Sequence, residues 1–283
     1  MNHLFYWYGQ KNVGDELSLY LTEKISHKKF IASSPPFNQT TLSAIGSLLT
    51  HKILCPNLVV WGTGSLTEAH LSPNPLKIFP LTHLLKEIKR CLLSHQPDIR
   101  AVRGPKTREL LNNIGVKCPP VYGDPALLMP LFYQPKQLEH KYRSGIILHH
   151  SQNNIIKSEI FDSLGIRFIS TEREGNNEIE DFIDEICSCE IIFSSSLHGI
   201  ILAQSYGIPT QWIHITDHPI KNNSRHKFHD YFLGAEQIIQ EPVRLPLTLS
   251  ALTSLVRTTH PVKILPFHNR DKLLDSFPFD IIV

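Results

Sequence analysis

The chain has 283 residues, of which 41% are hydrophobic and 19% are charged. This balance is typical of soluble globular proteins and excludes a disordered chain, which has few apolar residues and a high net charge. A formal charge of +2 also argues against a general nucleic-acid binder, whose basic excess is usually larger or more clustered. The length predicts about two domains. The 16 histidines stand out because histidine titrates near neutral pH.

The cysteines and the N-terminus predict a cytoplasmic location. Five cysteines, an odd number, argue against a disulfide scaffold in a chain that is long enough to build a core. Cys187 and Cys189 stand too close together for the usual zinc-binding spacing, so we expect free thiols and no metal site. The first residues lack the basic and apolar segments of a signal peptide, and no run reaches the ~18 apolar residues of a membrane span. We therefore expect at most peripheral contact with the inner face of a membrane.

Strands and helices alternate along the first half of the chain. The predicted strands cover residues 4–8, 58–62, 98–103 and 121–123, and the predicted helices cover residues 16–26 and 106–113. Asn12, Gly14 and Asp15 form a turn before the first helix and place a carboxylate at its start. Pro105 suits the first position of the second helix, and Gly115 suits its end.

The second half repeats this alternation after a polar segment at 133–143, which is typical of a linker. Here the predicted strands cover residues 145–149, 167–170, 191–194 and 209–213, and the predicted helices cover residues 155–164, 179–187 and 199–206. Such alternation predicts parallel sheets built from βαβ units. The sequence therefore predicts an α/β fold with two Rossmann-like domains, at residues 1–135 and 144–258, that face each other across a cleft. We expect the tail, residues 259–283, to pack back on the first domain through a helical stretch at 269–276.

The segment from Ser194 to Gly199, Ser-Ser-Ser-Leu-His-Gly, follows an apolar strand and opens a helix. Backbone amides at a helix start favour an anion, and the hydroxyls add donors, so the segment is a candidate phosphate cradle. His198 would lie beside that anion, in position for proton transfer. An equally supported interpretation is that the serines only cap the helix and that His198 is a polar core residue.

Two polar groups in the first half also stand where strands end, which is where open α/β sheets bind ligands. Arg103 has the chemistry to grip a carboxylate or phosphate with two hydrogen bonds, although an isolated arginine more often makes a surface salt bridge. Asp15 has the chemistry of a general base or of a ligand for sugar hydroxyls, and helix capping alone also explains it. The glycine-rich turn that holds Gly64 and Ser65 is weak evidence for ligand binding by itself.

Further polar groups lie in the second half. His149 and His150 end a strand, and because side chains alternate along a strand only one of them can face the cleft. Lys227, Asp230 and Tyr231 form a compact polar group that is suited to close over the cleft, with a solvated loop as the alternative interpretation. The histidines between 214 and 229 match no recognised metal-binding pattern.

Six motifs in order give the chain a family resemblance. They are Asn12-Val13-Gly14-Asp15, Val60-Trp61-Gly62-Thr63-Gly64-Ser65, Val102-Arg103-Gly104-Pro105-x-Thr107-Arg108, Gly123-Asp124-Pro125-Ala126-Leu127-Leu128, the 194–199 segment with Tyr206-Gly207-Ile208-Pro209, and Lys227-Phe228-x-Asp230-Tyr231. This set, from about residue 5 to 235, resembles the polysaccharide pyruvyltransferase family.

The resemblance implies a GT-B-like arrangement of the two domains. It also implies phosphoenolpyruvate as donor and a sugar diol as acceptor, on a capsular or exopolysaccharide or its lipid-linked precursor. The product would be a cyclic pyruvate ketal, and no metal or organic cofactor is implied. One departure is Ser196, where many members carry an arginine that helps to hold the donor. Another cation, such as Lys227, must then replace it.

The resemblance also suggests roles for the candidate residues. His198 would be the general acid, and Arg103 would bind the donor carboxylate or phosphate. Amides and hydroxyls of the second domain would hold the other anionic group, at Ser195, Ser196 and Leu197, with Lys227 beside them. The first domain would bind the acceptor, with Asp15 as the base and with Asn12, Gly64 and Ser65 as further contacts. His149 is a second candidate for proton transfer.

Two other functions remain open on the sequence. A GT-B glycosyltransferase with a nucleotide-sugar donor explains two Rossmann-like halves equally well, but its acidic ribose ligand has only weak candidates in Glu172, Glu174 and Glu178. A non-catalytic sugar-binding relative is favoured by the serine at 196 and disfavoured by the presence of Arg103 and His198.

Overall fold

The computed structural model describes residues 1–9, 11–71, 96–136, 139–153, 155, 158–220, 224–260 and 262–283. These residues form two five-stranded sheets, one in each half of the chain, and every strand pair is parallel. The predicted α/β fold with two Rossmann-like domains is therefore confirmed. Within the described ranges, no helix is long and apolar enough to cross a membrane.

The first sheet contains β1 to β5. Its strands are β1 (Asn2–Leu4), β2 (Phe30–Ala32), β3 (Thr41–Ser43), β4 (Leu58–Trp61) and β5 (Asp98–Ala101), and its helices are α1 (Val13–Ser26) and α2 (Pro105–Asn113). The helix α1 begins where the sequence predicts a cap, because the side chain of Asn12 accepts from the amide of Gly14. At α2, Pro105 occupies the first turn.

The second sheet contains β6 to β10. Its strands are β6 (Ser144–Ile147), β7 (Ile166–Phe168), β8 (Ile192–Ser194), β9 (Thr210–Ile215) and β10 (Val243–Leu245). The helices are α3 (Ser158–Ser163), α4 (Gly175–Cys187), α5 (Leu197–Ser205), α6 (Arg225–Gly234), α7 (Leu249–Thr258) and α8 (Arg270–Asp275). Short 3-10 turns cover Glu68–His70, Pro125–Leu131, His150–Gln152 and Phe279–Ile281.

Both sheets have the same strand order. The first runs β2-β1-β3-β4-β5 and the second runs β7-β6-β8-β9-β10, so each is a doubly wound sheet of order 2-1-3-4-5. In such sheets the ligand crevice opens beyond the carboxyl ends of the strands where the order reverses. That point lies between β1 and β3 in the first sheet and between β6 and β8 in the second.

A continuous apolar core joins the two halves. Val13, Leu17 and Tyr20 of α1 belong to the same buried cluster as Ile179 and Phe182 of α4. The backbone amide of Val13 also donates to the carbonyl of Thr171, at 2.9 Å. The N-terminus of α1 is therefore fixed against the second half, which brings the two crevices together.

The tail contacts the first sheet. The indole Nε1 of Trp61 donates to the carbonyl of Leu273, at 2.9 Å, and lies 3.1 Å from the hydroxyl of Ser276. At the end of the chain, Val283 exchanges hydrogen bonds with the side chain of Asn2. The domain boundaries given above stay a prediction.

Several elements differ in extent from the prediction. The first strand covers residues 2–4 instead of 4–8, and residues 121–123 form only a single bridge, between Val102 and Tyr122. The strands β2, β3 and β10 and the helices α6 and α7 were not predicted. Cys187 and Cys189 are buried free thiols, whereas Cys91 lies outside the described residues.

Candidate active site

The ring of His198 faces a buried carboxylate from the other half of the molecule. His198 stands in the first turn of α5, and its Nε2 lies 3.9 Å from Oδ2 of Asp124. Neither of these two buried atoms has a hydrogen-bond partner among the residues that the structure describes. The other carboxylate oxygen of Asp124 accepts from the amide of Ala126, at 3.1 Å, and this bond holds the carboxylate in place. Asp124 and His198 therefore face each other as a buried carboxyl–imidazole pair.

Burial disfavours the charged form of both members of this pair. Desolvation raises the pKa of Asp124 to about 7. Desolvation, together with the charges of Lys227 and Arg103, lowers the pKa of His198 to about 3. Near neutral pH the imidazole is therefore uncharged, and the carboxyl group of Asp124 is close to its own pKa. A pair with such divergent pKa values is typical of acid–base sites.

The loop before His198 is held by its own hydroxyl groups. The hydroxyl of Ser194 accepts from the amide of Ser196, at 3.0 Å. The hydroxyl of Ser195 accepts from the amide of His149, at 2.9 Å, and donates to the side chain of Gln152, at 2.7 Å. The amide of Ser195 donates to Ile147, at 3.1 Å.

These bonds change which donors of the predicted cradle can reach an anion. The hydroxyl and amide of Ser195 are bonded to residues of the β6 end, and the amide of Ser196 is bonded to Ser194, so Ser195 supports the cradle from behind. The donors that remain for a ligand are the hydroxyl of Ser196 and the amides of Leu197 and His198. Amides in the first turn of a helix lack partners within the helix.

Lys227 supplies a buried positive charge beside His198. Its side chain lies on α6 and the residue is 7% exposed. Among the described residues, no carboxylate forms an ion pair with its ammonium group, which lies 5.2 Å from the centre of the Phe228 ring. Desolvation and the charge of Arg103 lower the pKa of Lys227 to about 8. A buried cation without a counter-ion is costly unless a ligand supplies the negative charge.

His149 and His150 form a pair of rings close to Lys227 and His198. Their rings are in contact, with centroids 4.1 Å apart. Nδ1 of His149 accepts from the amide of Ser151, at 3.3 Å. Desolvation and the neighbouring charges of His150, Lys227 and His198 lower the pKa of His149 to about 3. The ring is therefore neutral near neutral pH, with its proton on Nε2.

Arg103 is enclosed behind the site and does not face it openly. The residue is completely buried. Its guanidinium donates to Asp230 at 3.3 Å, to the hydroxyl of Ser47 at 2.7 Å and to the carbonyl of Ser65 at 2.5 Å. A donor molecule would reach this group only after the packing around it opens, although its charge already acts on His198 and Lys227.

Gly64 and Ser65 support Arg103. A Cβ atom on Gly64 would lie 2.6 Å from Cζ of Arg103, so glycine leaves the space that the guanidinium occupies. The amide of Ser65 donates to the hydroxyl of Thr107 at 3.1 Å, and its own hydroxyl donates to Thr67 at 2.6 Å. Both residues thus belong to the packing around Arg103. Their contact with an acceptor stays a prediction.

Asn12 and Asp15 lie at the start of α1, on the other side of His198. The side-chain Nδ2 of Asn12 donates to the carboxylate of Asp15, at 2.6 Å, yet desolvation raises the pKa of Asp15 to about 6. The neighbouring Gly14 packs directly on the imidazole, since a Cβ atom there would lie 2.1 Å from Nδ1 of His198. The cap of α1 thus adjoins the proton-transfer pair.

The site therefore unites residues that are far apart in the sequence. It combines a proton-transfer pair, a buried ammonium and a second histidine where the crevices of both sheets meet. The part of the chain that the structure describes contains no group of three or more His, Cys, Asp or Glu side chains arranged to hold a metal. No role at the site was predicted for Asp124, whereas Asp230 was predicted to belong to a polar group that is suited to close over the cleft.

Comparisons with known proteins identify the family of the chain and support its fold. The fold and site define a two-domain α/β protein with its ligand site at the junction of two doubly wound sheets. The family model for polysaccharide pyruvyl transferases matches residues 47–214, which is more than half of the chain, and the chain belongs to this family. The predicted family is thereby confirmed.

Individual relatives are distant. The succinoglycan biosynthesis protein ExoV of Rhizobium meliloti is 26% identical over 260 residues, which cover 87% of this chain and 69% of that protein. An uncharacterised protein of Acanthamoeba polyphaga mimivirus is 25% identical over 238 residues, which cover 81% of this chain and 72% of that one. The crystal structure of a functionally uncharacterised protein from Klebsiella pneumoniae matches with a TM-score of 0.50 at 9% identity, covering 86% of this chain and 92% of that chain. At that identity the likeness shows the fold alone.

Proposed function

We propose that the protein transfers the pyruvyl group of phosphoenolpyruvate to two hydroxyls of a cell-surface polysaccharide or of its lipid-linked precursor. The family supports pyruvyl transfer to a polysaccharide. The observation that carries the choice of donor is the buried ammonium of Lys227, which has no ion-pair partner among the described residues and whose charge acts on His198. Phosphoenolpyruvate needs both a cation for its negative groups and a proton for its methylene carbon. No cofactor takes part in this proposal.

Lys227 holds the donor from one side. Its ammonium pairs with an anionic group of phosphoenolpyruvate, and this pairing removes the cost of burying the charge. The hydroxyl of Ser196 and the amides of Leu197 and His198 bind the other anionic group at the start of α5. Lys227 thereby takes the place of the arginine that many family members carry at position 196. Arg103 adds its positive charge from a fully buried position next to the site.

The reaction balances with two hydroxyls and one donor. The methylene carbon of phosphoenolpyruvate takes up a proton, and the first sugar hydroxyl adds to the neighbouring carbon and loses its own proton. The bond between that carbon and the phosphate oxygen then breaks, and phosphate leaves with the electron pair. The second hydroxyl attacks the resulting oxocarbenium ion and loses its proton, which closes the ketal ring. One hydroxyl proton replaces the proton delivered to the methylene carbon, and the other departs with phosphate.

His198 and Asp124 supply the proton that the methylene carbon takes up. In the free protein Asp124 carries the exchangeable proton, because its pKa is raised to about 7 while that of His198 is lowered to about 3. A bound anion beside His198 favours the imidazolium ion and raises the pKa of the ring. The proton then passes to His198, which delivers it to the methylene carbon as a general acid. His149 is a second group for proton transfer at the same site.

Asp15 serves the acceptor. Its carboxylate is ionised above a pKa of about 6, so near neutral pH it is a base for an attacking hydroxyl. Asn12 holds this carboxylate at 2.6 Å and orients it toward the sugar. The acceptor hydroxyls therefore approach from the α1 side, opposite the donor.

The direct test is phosphate release from phosphoenolpyruvate in the presence of lipid-linked and free oligosaccharide acceptors. We expect release that depends on the acceptor, and mass spectrometry of the glycan should show the gain of one pyruvate less one water. A panel of nucleotide sugars serves as the comparison. Stabilisation by a nucleotide sugar together with no response to phosphoenolpyruvate would replace this proposal by glycosyl transfer.

Lys227→Met tests the donor site separately. Loss of the ammonium should weaken phosphoenolpyruvate binding by at least ~10-fold, which corresponds to the loss of one charged hydrogen bond. Isothermal titration calorimetry measures this affinity. Lys24→Met is the control, since Lys24 lies at the far end of α1 with its side chain 41% exposed. Equal donor affinity in the Lys227 variant and the wild type would contradict the donor role.

A further inference from the structure

Helix α6, which carries Lys227, belongs to both halves of the molecule. On one side it packs on the second sheet, where Phe228 stacks on Trp212 with ring centroids 4.1 Å apart. Tyr231 donates to the side chain of Gln204 in α5, at 2.7 Å. On its other side it meets the first domain through Asp230.

The carboxylate of Asp230 is completely buried and makes three contacts with the first domain. It accepts from Nε of Arg103 at 3.3 Å, from the amide of Thr107 at 3.0 Å and from the hydroxyl of Thr107 at 2.6 Å. Thr107 stands in the first turn of α2, so the carboxylate also satisfies a helix N-terminus that has no cap of its own. A negative charge at that point is favourable.

The two backbones meet closely around these contacts. A Cβ atom on Gly104 would lie 1.8 Å from the carbonyl oxygen of Asp230, and one on Gly234 would lie 2.0 Å from the carbonyl oxygen of Arg103. Because both clashes involve backbone atoms, side chains at these positions would force the helix away. Glycine at 104 and 234 therefore lets α6 lie directly on the start of α2.

Asp230 follows Lys227 by three residues, so the two side chains project from the same side of the helix about one turn apart. Whatever fixes Asp230 therefore also sets the position of Lys227. The carboxylate also offsets the charge of Arg103, which otherwise acts on Lys227 without compensation.

We propose that Asp230 is a positioning residue, which locks α6 onto Arg103 and Thr107 and thereby holds the ammonium of Lys227 in the anion site. The binding of an anionic donor at Lys227 rests on the proposed function, whereas the positioning of Lys227 by Asp230 does not. Asp230 touches neither donor nor acceptor in this scheme and acts through Lys227.

Three variants separate positioning from folding. Thr107→Val removes the hydroxyl that donates to Asp230 while keeping the size of the side chain, and it also removes the acceptor of the Ser65 amide. Thr107→Ser restores that hydroxyl and serves as the conservative rescue. Asp230→Asn removes the charge itself and tests the same contact from the helix.

The first measurement needs no donor. The rate at which acetic anhydride modifies Lys227 is followed by peptide mass spectrometry and normalised to the exposed Lys29. We expect Thr107→Val and Asp230→Asn to raise this rate by ~10-fold or more, since the lost contact is a charged hydrogen bond, and Thr107→Ser to return it. The buried thiols of Cys187 and Cys189 should stay protected from iodoacetamide, which shows that the second domain remains folded.

The second measurement is phosphoenolpyruvate affinity in a double-mutant cycle. If Asp230 acts through Lys227, Thr107→Val weakens binding in the wild type and has no further effect in the Lys227→Met protein. Independent effects of the two changes on affinity would overturn the positioning role. Unchanged labelling of Lys227 in both Thr107→Val and Asp230→Asn would overturn it as well. Failure of the wild type to bind phosphoenolpyruvate would instead reject the proposed donor, and the labelling would still decide whether Asp230 positions Lys227.

Discussion

At the scale of single residues, the burial of Asp124 and of His198 makes the stability of the fold depend on pH. Asp124 is fully buried, and its pKa is raised from 3.8 to about 7. A raised carboxyl pKa stabilises the fold below pH 4, and this contribution is lost as the pH rises through 7. The lowered pKa of His198 has the opposite effect on stability. Below about pH 6.5 this histidine takes up a proton in the unfolded chain but not in the folded chain, so the fold loses stability as the pH falls.

Asp124→Asn should therefore change the slope of stability against pH. The amide keeps the oxygen that accepts from Ala126 but cannot ionise. Between pH 5 and pH 8 the wild type should lose roughly 2–3 kcal/mol more stability than the variant, as the shift of the Asp124 pKa requires. Urea unfolding at the two pH values measures this difference. Parallel curves for the two proteins would show that Asp124 is ionised in the folded state throughout.

His198→Gln tests the proton transfer itself. Glutamine keeps a polar side chain of similar reach but cannot act as a general acid at neutral pH, so kcat should fall by about 10²–10⁴-fold. The binding of phosphoenolpyruvate should change far less, since Lys227 and the helix start remain. Steady-state phosphate release gives kcat, and calorimetry gives the affinity. Turnover near that of the wild type would remove His198 from the mechanism.

Single residues also show where the sequence was informative and where it was not. The 194–199 segment and the start of α1 were predicted to lie at strand ends, and the structure places Gly14 directly on His198. The pairing with Asp124 was not predictable, because the two residues lie 74 positions apart and only the docking of the halves brings them together. The burial of Arg103 was missed for the same reason, since its partner Asp230 belongs to the other half.

At the scale of elements, the start of α1 packs against the ring of His198, the proposed general acid. Gly14 is in ordinary helical backbone, so its lack of a side chain serves the contact with His198 and not the turn. Gly14→Ala should therefore displace the imidazole, because the new methyl would lie 2.1 Å from Nδ1. We expect kcat to fall at least ~10-fold while helix propensity improves. Lys24→Ala, at the far end of α1, is the control, and unchanged kcat in the glycine variant would show that the ring has room to move.

Elements with a strong pattern were the predictable ones. The apolar strands β4 and β8 were found close to their true bounds, because burial on both faces leaves a clear run of apolar residues. The helix α2 was found from Pro105 at its start and Gly115 after its end. The strands β2 and β3 have only three residues each, and β2 has one buried residue and two exposed residues. Such short strands carry too little periodicity to be recognised without the sheet that pairs them.

At the scale of the whole molecule, the two halves share too much buried surface to behave as independent domains. The cluster that includes α1 and α4 is one core, and the buried pair of Arg103 and Asp230 adds a polar link elsewhere. Tyr20 of α1 also donates to Glu180 of α4, at 2.8 Å. Cleaving the halves apart would expose this core and leave a buried charge unpaired.

We therefore expect a single cooperative unfolding transition, although the chain holds two complete sheets. Differential scanning calorimetry should show one peak, and a saturating donor should shift that peak upward as a unit. Tyr20→Phe removes the hydroxyl that links the halves and should lower the midpoint by a few degrees without splitting the peak, because the apolar contact of the ring remains. Two separate transitions in the wild type would mean that each sheet is stable without the other. In that case the site between them would form only by docking of preformed domains, and donor binding should then merge the two peaks.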